Sequence, residues 1–220
     1  MQKNILIIVV ILIVGTVAGI FIGRMLLPYE LERGPVYLTE TKQVYIQENV
    51  ALVSAIEKAE KTVVGVKTTT QAGRVLEGSG FVVTSDGLMV TLAELVPYGS
   101  DFSFVIGEEN VSFQILKRDL ENNLALVKIS DSVLVTAGFA RLDNLKRGER
   151  VFLLGSDLVN EGIVKAFDQD VIRTNIIESS SAAGSPLFNI SGEILGISMV
   201  DAKGNVNAIP ISKIRSFVGV

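Results

Sequence analysis

Residues 78–96, GSGFVVTSDGLMVTLAELV, decide how the rest of the chain is read. A run rich in β-branched and aromatic residues ends at a Ser85-Asp86-Gly87 turn, and a second apolar run follows it. β-branched and aromatic side chains fit a pleated surface, and Asp-Gly supplies the backbone freedom a tight reversal needs. The same grammar continues from Thr62 onward. Phe102, Phe104 and Ile106 alternate with other residues, as do Val111, Phe113 and Ile115, and Ser191-Gly192 and Lys203-Gly204 mark further turns. Many short strands at this spacing predict a barrel or a sandwich.

Upstream the pattern is different. Asn4 to Gly23 is 20 residues without a charge. As a helix it spans roughly 30 Å, the thickness of a bilayer's hydrocarbon core. Thr16-Val17-Ala18 is a weak cleavage site, but the apolar run continues through Ile20-Phe21-Ile22 and resumes at Met25-Leu26-Leu27. That length favours an uncleaved membrane anchor, residues 1–27 with the membrane segment at 4–27, over a signal peptide. Lys3 lies on one side and Arg24, Arg33 and Lys42 on the other, so flanking charge does not set the orientation. Gly15, Gly19 and Gly23 recur every fourth residue, a spacing that lets two membrane helices approach closely and predicts a homo-oligomer contact. Residues 28–59 read as a tether, with Pro28 and Gly34-Pro35 as breakers, followed by an amphipathic helix whose apolar face is Ile46, Val50, Val53 and Ile56.

Charge and composition exclude several classes of function. Lys3 and Arg24 are the only charged side chains before Pro28, so the remainder carries 18 Lys/Arg against 24 Asp/Glu, a formal −6. An acidic domain with no basic stretch argues against nucleic acid as a partner. There is no cysteine and no histidine. Thiolate and imidazole metal sites are therefore impossible, and no Asp-x-Asp-x-Asp run offers a site for a hard cation. Gly78-Ser79-Gly80 leads into a strand, not a helix, so it is no phosphate cradle. No cofactor or metal is expected.

Four segments in order resemble HtrA/Deg-type trypsin-like serine proteases: residues 78–96; Asn122–Ile129, NNLALVKI; Gly148–Ser156, GERVFLLGS; and Ser181–Met199, SAAGSPLFNISGEILGISM. NVNAIPISKI near the end matches the family's closing strand. The resemblance covers roughly residues 48–220. It implies an all-β, chymotrypsin-like fold of two six-stranded antiparallel barrels, the first at about 60–142 and the second at about 143–220, within a 60–220 domain. The PDZ domain that often follows in the family is not expected in this chain.

The resemblance also locates the catalytic positions. Glu94 stands where the family has its histidine, Asn123 where it has the aspartate, and Ala183 where it has the nucleophilic serine. The oxyanion donors are the N–H groups at Ser181 and Ala183, and Ser181 replaces the family's glycine. A triad needs an imidazole to take the serine proton and return it to the leaving amine. With three positions replaced, no catalytic residue is assigned. The expectation is a membrane-anchored pseudoprotease, a non-catalytic peptide- or protein-binding or regulatory module. Its ligand would lie in the inter-barrel cleft and its domain outside the cytoplasm. The alternative is a serine endopeptidase with an atypical base, Glu94 or Lys128 serving one of Ser179, Ser180, Ser181 and Ser185.

Overall fold

The computed structural model of the chain describes residues 2–31, 40–130 and 134–219, with side chains at 7–25, 50–130 and 134–219. The chain divides into two compact units, Met1–Ile46 and Gln47–Val220. The first contains helix α1 (Gln2–Leu31), whose stretch Ile7–Met25 is long and apolar enough to cross a membrane. Pro28, read as a breaker, falls inside the last turn of α1. A proline there loses one helical hydrogen bond near a frayed end, where the cost of interruption is smallest.

Helix α2 (Glu40–Ala59) leads into the second unit, with its side chains described from Val50. Its buried face keeps Ile56 from the expected set but not Val50 or Val53. Val50 and Val53 are 62% and 55% exposed, whereas Ala55 and Ala59 are buried and Leu52 and Ile56 pack beside them. Ile46 lies outside the residues with described side chains. The reason is steric. The helix seats against the Gly192 turn, where a Cβ on the glycine would stand 3.7 Å from the Ala55 Cβ. Small side chains permit that approach, so the alanines turn inward and the valines outward.

The remainder is mostly strand. β1 (Val63–Thr69), β2 (Val75–Val82), β3 (Leu88–Leu92), β4 (Asp101–Ile106), β5 (Glu109–Asn110), β6 (Ser112–Asp119) and β7 (Leu124–Ser130) form one antiparallel sheet in the order β5-β4-β1-β2-β3-β7-β6. The turns fall where the glycines require them: Gly87, between β2 and β3, has φ +99°, and its Cβ position lies against the Ile129 carbonyl. This first sheet has one strand more than expected, the two-residue β5, and no continuous ladder joins its two ends. Aromatic side chains meet across the seam instead. The Phe113 ring on β6 lies 4.6 Å from Phe104 and 6.3 Å from Phe102 on β4, and the Val111 N–H donates to the Phe104 carbonyl at 2.9 Å.

β8 (Arg150–Leu154), β9 (Val159–Phe167), β10 (Ile172–Ile177), β11 (Pro186–Asn189), β12 (Ile194–Val200) and β13 (Asn205–Pro210) close a six-stranded barrel, followed by helix α3 (Ile211–Val218). Phe152 and Phe188 stack with ring centres 5.0 Å apart in its core. Helix α3 ends at Gly219, φ +89°, whose N–H donates to the Arg215 carbonyl. That is a left-handed cap only glycine adopts freely.

Candidate functional site

Glu94 sits in a short 3-10 turn, Ala93–Leu95, directly after β3. Leu92, Ala93 and Leu95 are buried and anchor the turn, while Glu94 is exposed. Asn123 faces it from the turn preceding β7. The Asn123 side-chain oxygen accepts the Glu94 N–H at 3.0 Å, and the Asn123 carbonyl accepts the Ala93 N–H at 3.1 Å. Asn123 has φ +53°, the one positive value at a non-glycine position among the described residues. Asparagine tolerates this left-handed conformation better than most residues.

Ala183 closes a second 3-10 turn, Ser180–Ala182, and is buried. Its N–H donates to the Ser180 carbonyl at 3.1 Å, and the Ala182 N–H donates to Ser179 at 3.0 Å. The Ala183 donor is therefore bonded within the turn, not left open toward the cleft. Ser181 does not have a positive φ among the described residues, and its hydroxyl lies 2.7 Å from that of Ser179. The turn is held from behind as well. The Ser198 hydroxyl donates to the Ala182 carbonyl at 2.5 Å, and the Ser79 N–H donates to the Ala183 carbonyl at 2.9 Å.

Ser79 ties the two sheets together at this point. Its hydroxyl accepts the Ser156 N–H at 3.2 Å and its carbonyl accepts the Thr91 hydroxyl at 2.7 Å. Gly78 and Gly184 make the contact possible. A Cβ on Gly78 would stand 2.5 Å from Leu95 and 2.6 Å from the Ala183 carbonyl, and one on Gly184 would stand 2.1 Å from the Ser79 carbonyl. Leu95 thus touches glycines on both sides of the junction, bringing the Glu94 turn and the Ala183 turn to the same stretch of β2.

The groups considered as substitute bases and nucleophiles are placed as follows. Lys128 is bound to Asp86 at 2.8 Å, on the β2–β3 turn. That hydrogen bond, with a second from Thr84, holds the Asp86 carboxyl below its ordinary range. Ser185 is fully buried beneath the Ala183 turn, and its hydroxyl has no partner among the described residues. A cavity of about 260 Å³ adjoins the centre, with Lys67, Glu77 and Gly78 on one wall and Ser156, Asp157 and Ser181 on the other. Among the described residues no group of three acidic side chains is placed to hold a metal ion.

Residues 78–197 match the model of the trypsin-like peptidase domain. The chain belongs to that family. Within it the trypsin-like domain is of the HtrA type. It is 31% identical to serine protease HTRA4 of Mus musculus and 32% identical to serine protease HTRA1A of Danio rerio. It is 28% identical to a probable periplasmic serine endoprotease DegP-like of Rhizobium meliloti (strain 1021). These alignments cover 64%, 66% and 64% of this chain, and 33%, 34% and 32% of the relatives. The chain thus spans about a third of the length of these relatives.

Sequence reasoning missed one feature of the trypsin-like domain. Among the described residues outside α1, the three most exposed large apolar side chains are Tyr98, Leu120 and Ile177, at 72%, 71% and 67%. Tyr98 follows the Glu94 turn, Leu120 begins the turn that carries Asn123, and Ile177 ends the strand that enters the Ala183 turn. The available signal was an apolar residue inside a predicted turn, which alternation along strands does not reveal.

Proposed function

We propose that the chain is a membrane-anchored, non-catalytic member of the HtrA type that binds extended peptide or protein segments at the cleft between its two sheets. The carrying observation is the distribution of exposed apolar surface. Tyr98 and Leu120 lie on the same loops as Glu94 and Asn123, and Ile177 ends the strand that leads into the Ala183 turn. Large exposed apolar groups next in the chain to these three positions mark a contact surface more than a solvated one.

The absence of catalysis rests on chemistry. The chain has no imidazole, and the three triad positions carry a carboxylate, an amide and a methyl group. The Ala183 N–H, a donor that would stabilise an oxyanion, is bonded to Ser180. Anchoring rests on the Ile7–Met25 segment, and an extracytoplasmic domain follows by analogy with relatives such as the DegP-like protein described as periplasmic.

The test is binding without turnover. Fluorescein-labelled, unfolded casein is titrated with the full chain in detergent micelles, and anisotropy and fragment formation are followed together. Binding with no fragments is expected, and it should weaken at least tenfold in a Tyr98→Ser, Leu120→Ser, Ile177→Ser variant of unchanged thermal midpoint. Fragments that increase with protein concentration and survive removal of contaminants would overturn the non-catalytic reading. Equal binding by the variant would overturn the cleft reading.

A further inference from the structure

We infer that Arg118 is a preset receptor for an acidic side chain of the peptide bound at this cleft, an inference that rests on the cleft reading above. Arg118 lies near the end of β6, two residues before Leu120. Its guanidinium is fixed from several directions. The Nε–H donates to the Val96 carbonyl at 2.6 Å, immediately beyond the Glu94 turn. The guanidinium carbon lies 4.4 Å from the Tyr98 ring centre and 5.9 Å from that of Phe102. Among the described residues it is the one arginine that both lies over two rings and donates to a backbone carbonyl.

That clamp leaves the outer fork uncommitted. Among the described residues, neither terminal nitrogen of Arg118 has a carboxylate or carbonyl partner, unlike Arg173, which is bound to Asp168 at 3.0 Å. The adjacent carboxylate is engaged elsewhere: Asp119 accepts from the Glu121 and Asn122 N–H groups and from the Asn122 amide. Its partners therefore face the turn. A guanidinium fork matches a carboxylate in two parallel hydrogen bonds, and holding the fork in place beforehand reduces what binding costs in side-chain entropy. Ring faces on the guanidinium also thin its water shell, which strengthens the charge-assisted bond.

The cation is local in a unit that is acidic as a whole, so the choice of ligand charge follows from this residue and not from net charge. Tyr98 and Leu120 flank it, whereas Ile177 belongs to the other sheet. A ligand that reaches all three apolar residues continues past Arg118. The carboxylate is therefore that of an internal Asp or Glu beside apolar residues, not that of the peptide's last residue.

The test uses short, fluorescein-labelled, C-terminally amidated peptides with a Val-Leu-Phe core. They carry Glu, Gln or Lys at each flanking position in turn, and are titrated against the full chain in micelles at low and high salt. At one flanking position the Glu peptide should bind at least about tenfold more tightly than its Gln counterpart. The preference should shrink at high salt, and Arg118→Gln should abolish it. The Glu-to-Gln ratio is taken within each variant, so it does not depend on how much of the variant folds. Equal Glu and Gln affinities at every position in the wild type, or a preference that survives Arg118→Gln, would overturn the Arg118 assignment and leave the cleft reading standing. A Gln peptide with a free C-terminus that alone shows the gain would overturn it in favour of terminal recognition. No binding by any peptide would overturn the cleft reading itself.

Discussion

The Asn123 side-chain oxygen accepts a hydrogen bond from the backbone of Glu94, at 3.0 Å. The contact holds the 3-10 turn after β3 against the turn before β7, and it needs an acceptor, not a charge. Asparagine therefore supplies scaffolding between these two turns.

Asn123→Asp keeps the acceptor and should change stability by less than about 1 kcal/mol, with no hydrolysis appearing. Asn123→Ala removes it and places a less tolerant residue at φ +53°. Its expected cost is about 1–3 kcal/mol, the sum of one hydrogen bond and a left-handed conformation. Urea unfolding of the two variants measures both.

Restoring three side chains should not restore a protease. Glu94→His, Asn123→Asp and Ala183→Ser together replace the triad but leave the N–H of residue 183 bonded within its turn. Loss of one oxyanion donor costs about 10²–10³ in rate. Labelling by a fluorophosphonate should be slow in the triple variant and faster once Ser181→Gly is added. Ala183→Ser alone should stay unlabelled, because an unassisted hydroxyl is a poor nucleophile. Rapid labelling of the triple variant would show that the turn opens readily.

Gly184→Ala should damage folding more than any polar change at the centre. Gly184 has φ +77°, and an added Cβ would meet the Ser79 carbonyl at 2.1 Å. Conformational strain and overpacking together predict a loss of about 3 kcal/mol or more, read as a lowered urea midpoint or insoluble expression.

Stability should vary little between about pH 5 and 8, since no histidine titrates there. Asp86, Asp119, Asp168 and Asp201 all have carboxyls held below the ordinary 3.8, chiefly by hydrogen bonds from Lys128, Asn122, Asp170 and Asn205 respectively. A lowered folded-state value means the unfolded chain takes up protons first as pH falls. The stabilisation is present above 3.8 and is lost on acidification through the lower folded values. Thermal midpoints across pH 2–8 should show a plateau and then an acid limb. Removal of one partner, as in Lys128→Met, should move that limb only slightly, because these carboxyls are exposed.

The strand grammar was readable because local rules agreed. Phe102, Phe104 and Ile106 fall on β4, and Ser85-Asp86-Gly87, Ser191-Gly192 and Lys203-Gly204 all form turns between consecutive strands. Glu94, Asn123 and Ala183 sit in segments tied to such strands. What local rules do not carry was missed. The inward face of α2 depends on how near a helix can approach Gly192, so Ala55 and Ala59 displaced two valines that a hydrophobicity count prefers. The Ser180–Ala182 turn arises from contacts with Ser198 and Ser79, distant in sequence. The setting of Arg118 likewise needs three residues on two other segments.

The glycine spacing in α1 leads to a measurement of its own. A Cβ at Gly15, Gly19 or Gly23 would meet nothing within 4 Å among the described residues. In a membrane association assay, Gly19→Ile should weaken dimers markedly while Val17→Leu should not. Equal association by both would assign any oligomer to the β unit.

The aromatic seam of the first sheet carries a further consequence, for the protein's behaviour among copies of itself. A ring of strands has no ends, as in β8–β13, whereas a sheet closed by Phe104 and Phe113 keeps two ends. Each end is a ragged row of amide groups on which a foreign strand can nucleate. The pairing of β6 with β7 slips between Ile115 and Lys117, and the residue squeezed out, Leu116, is 46% exposed. That kink interrupts the flat template a growing fibril requires. Deleting Leu116 would straighten the border and should shorten the lag before thioflavin-positive aggregates form, even where the folded domain tolerates the loss.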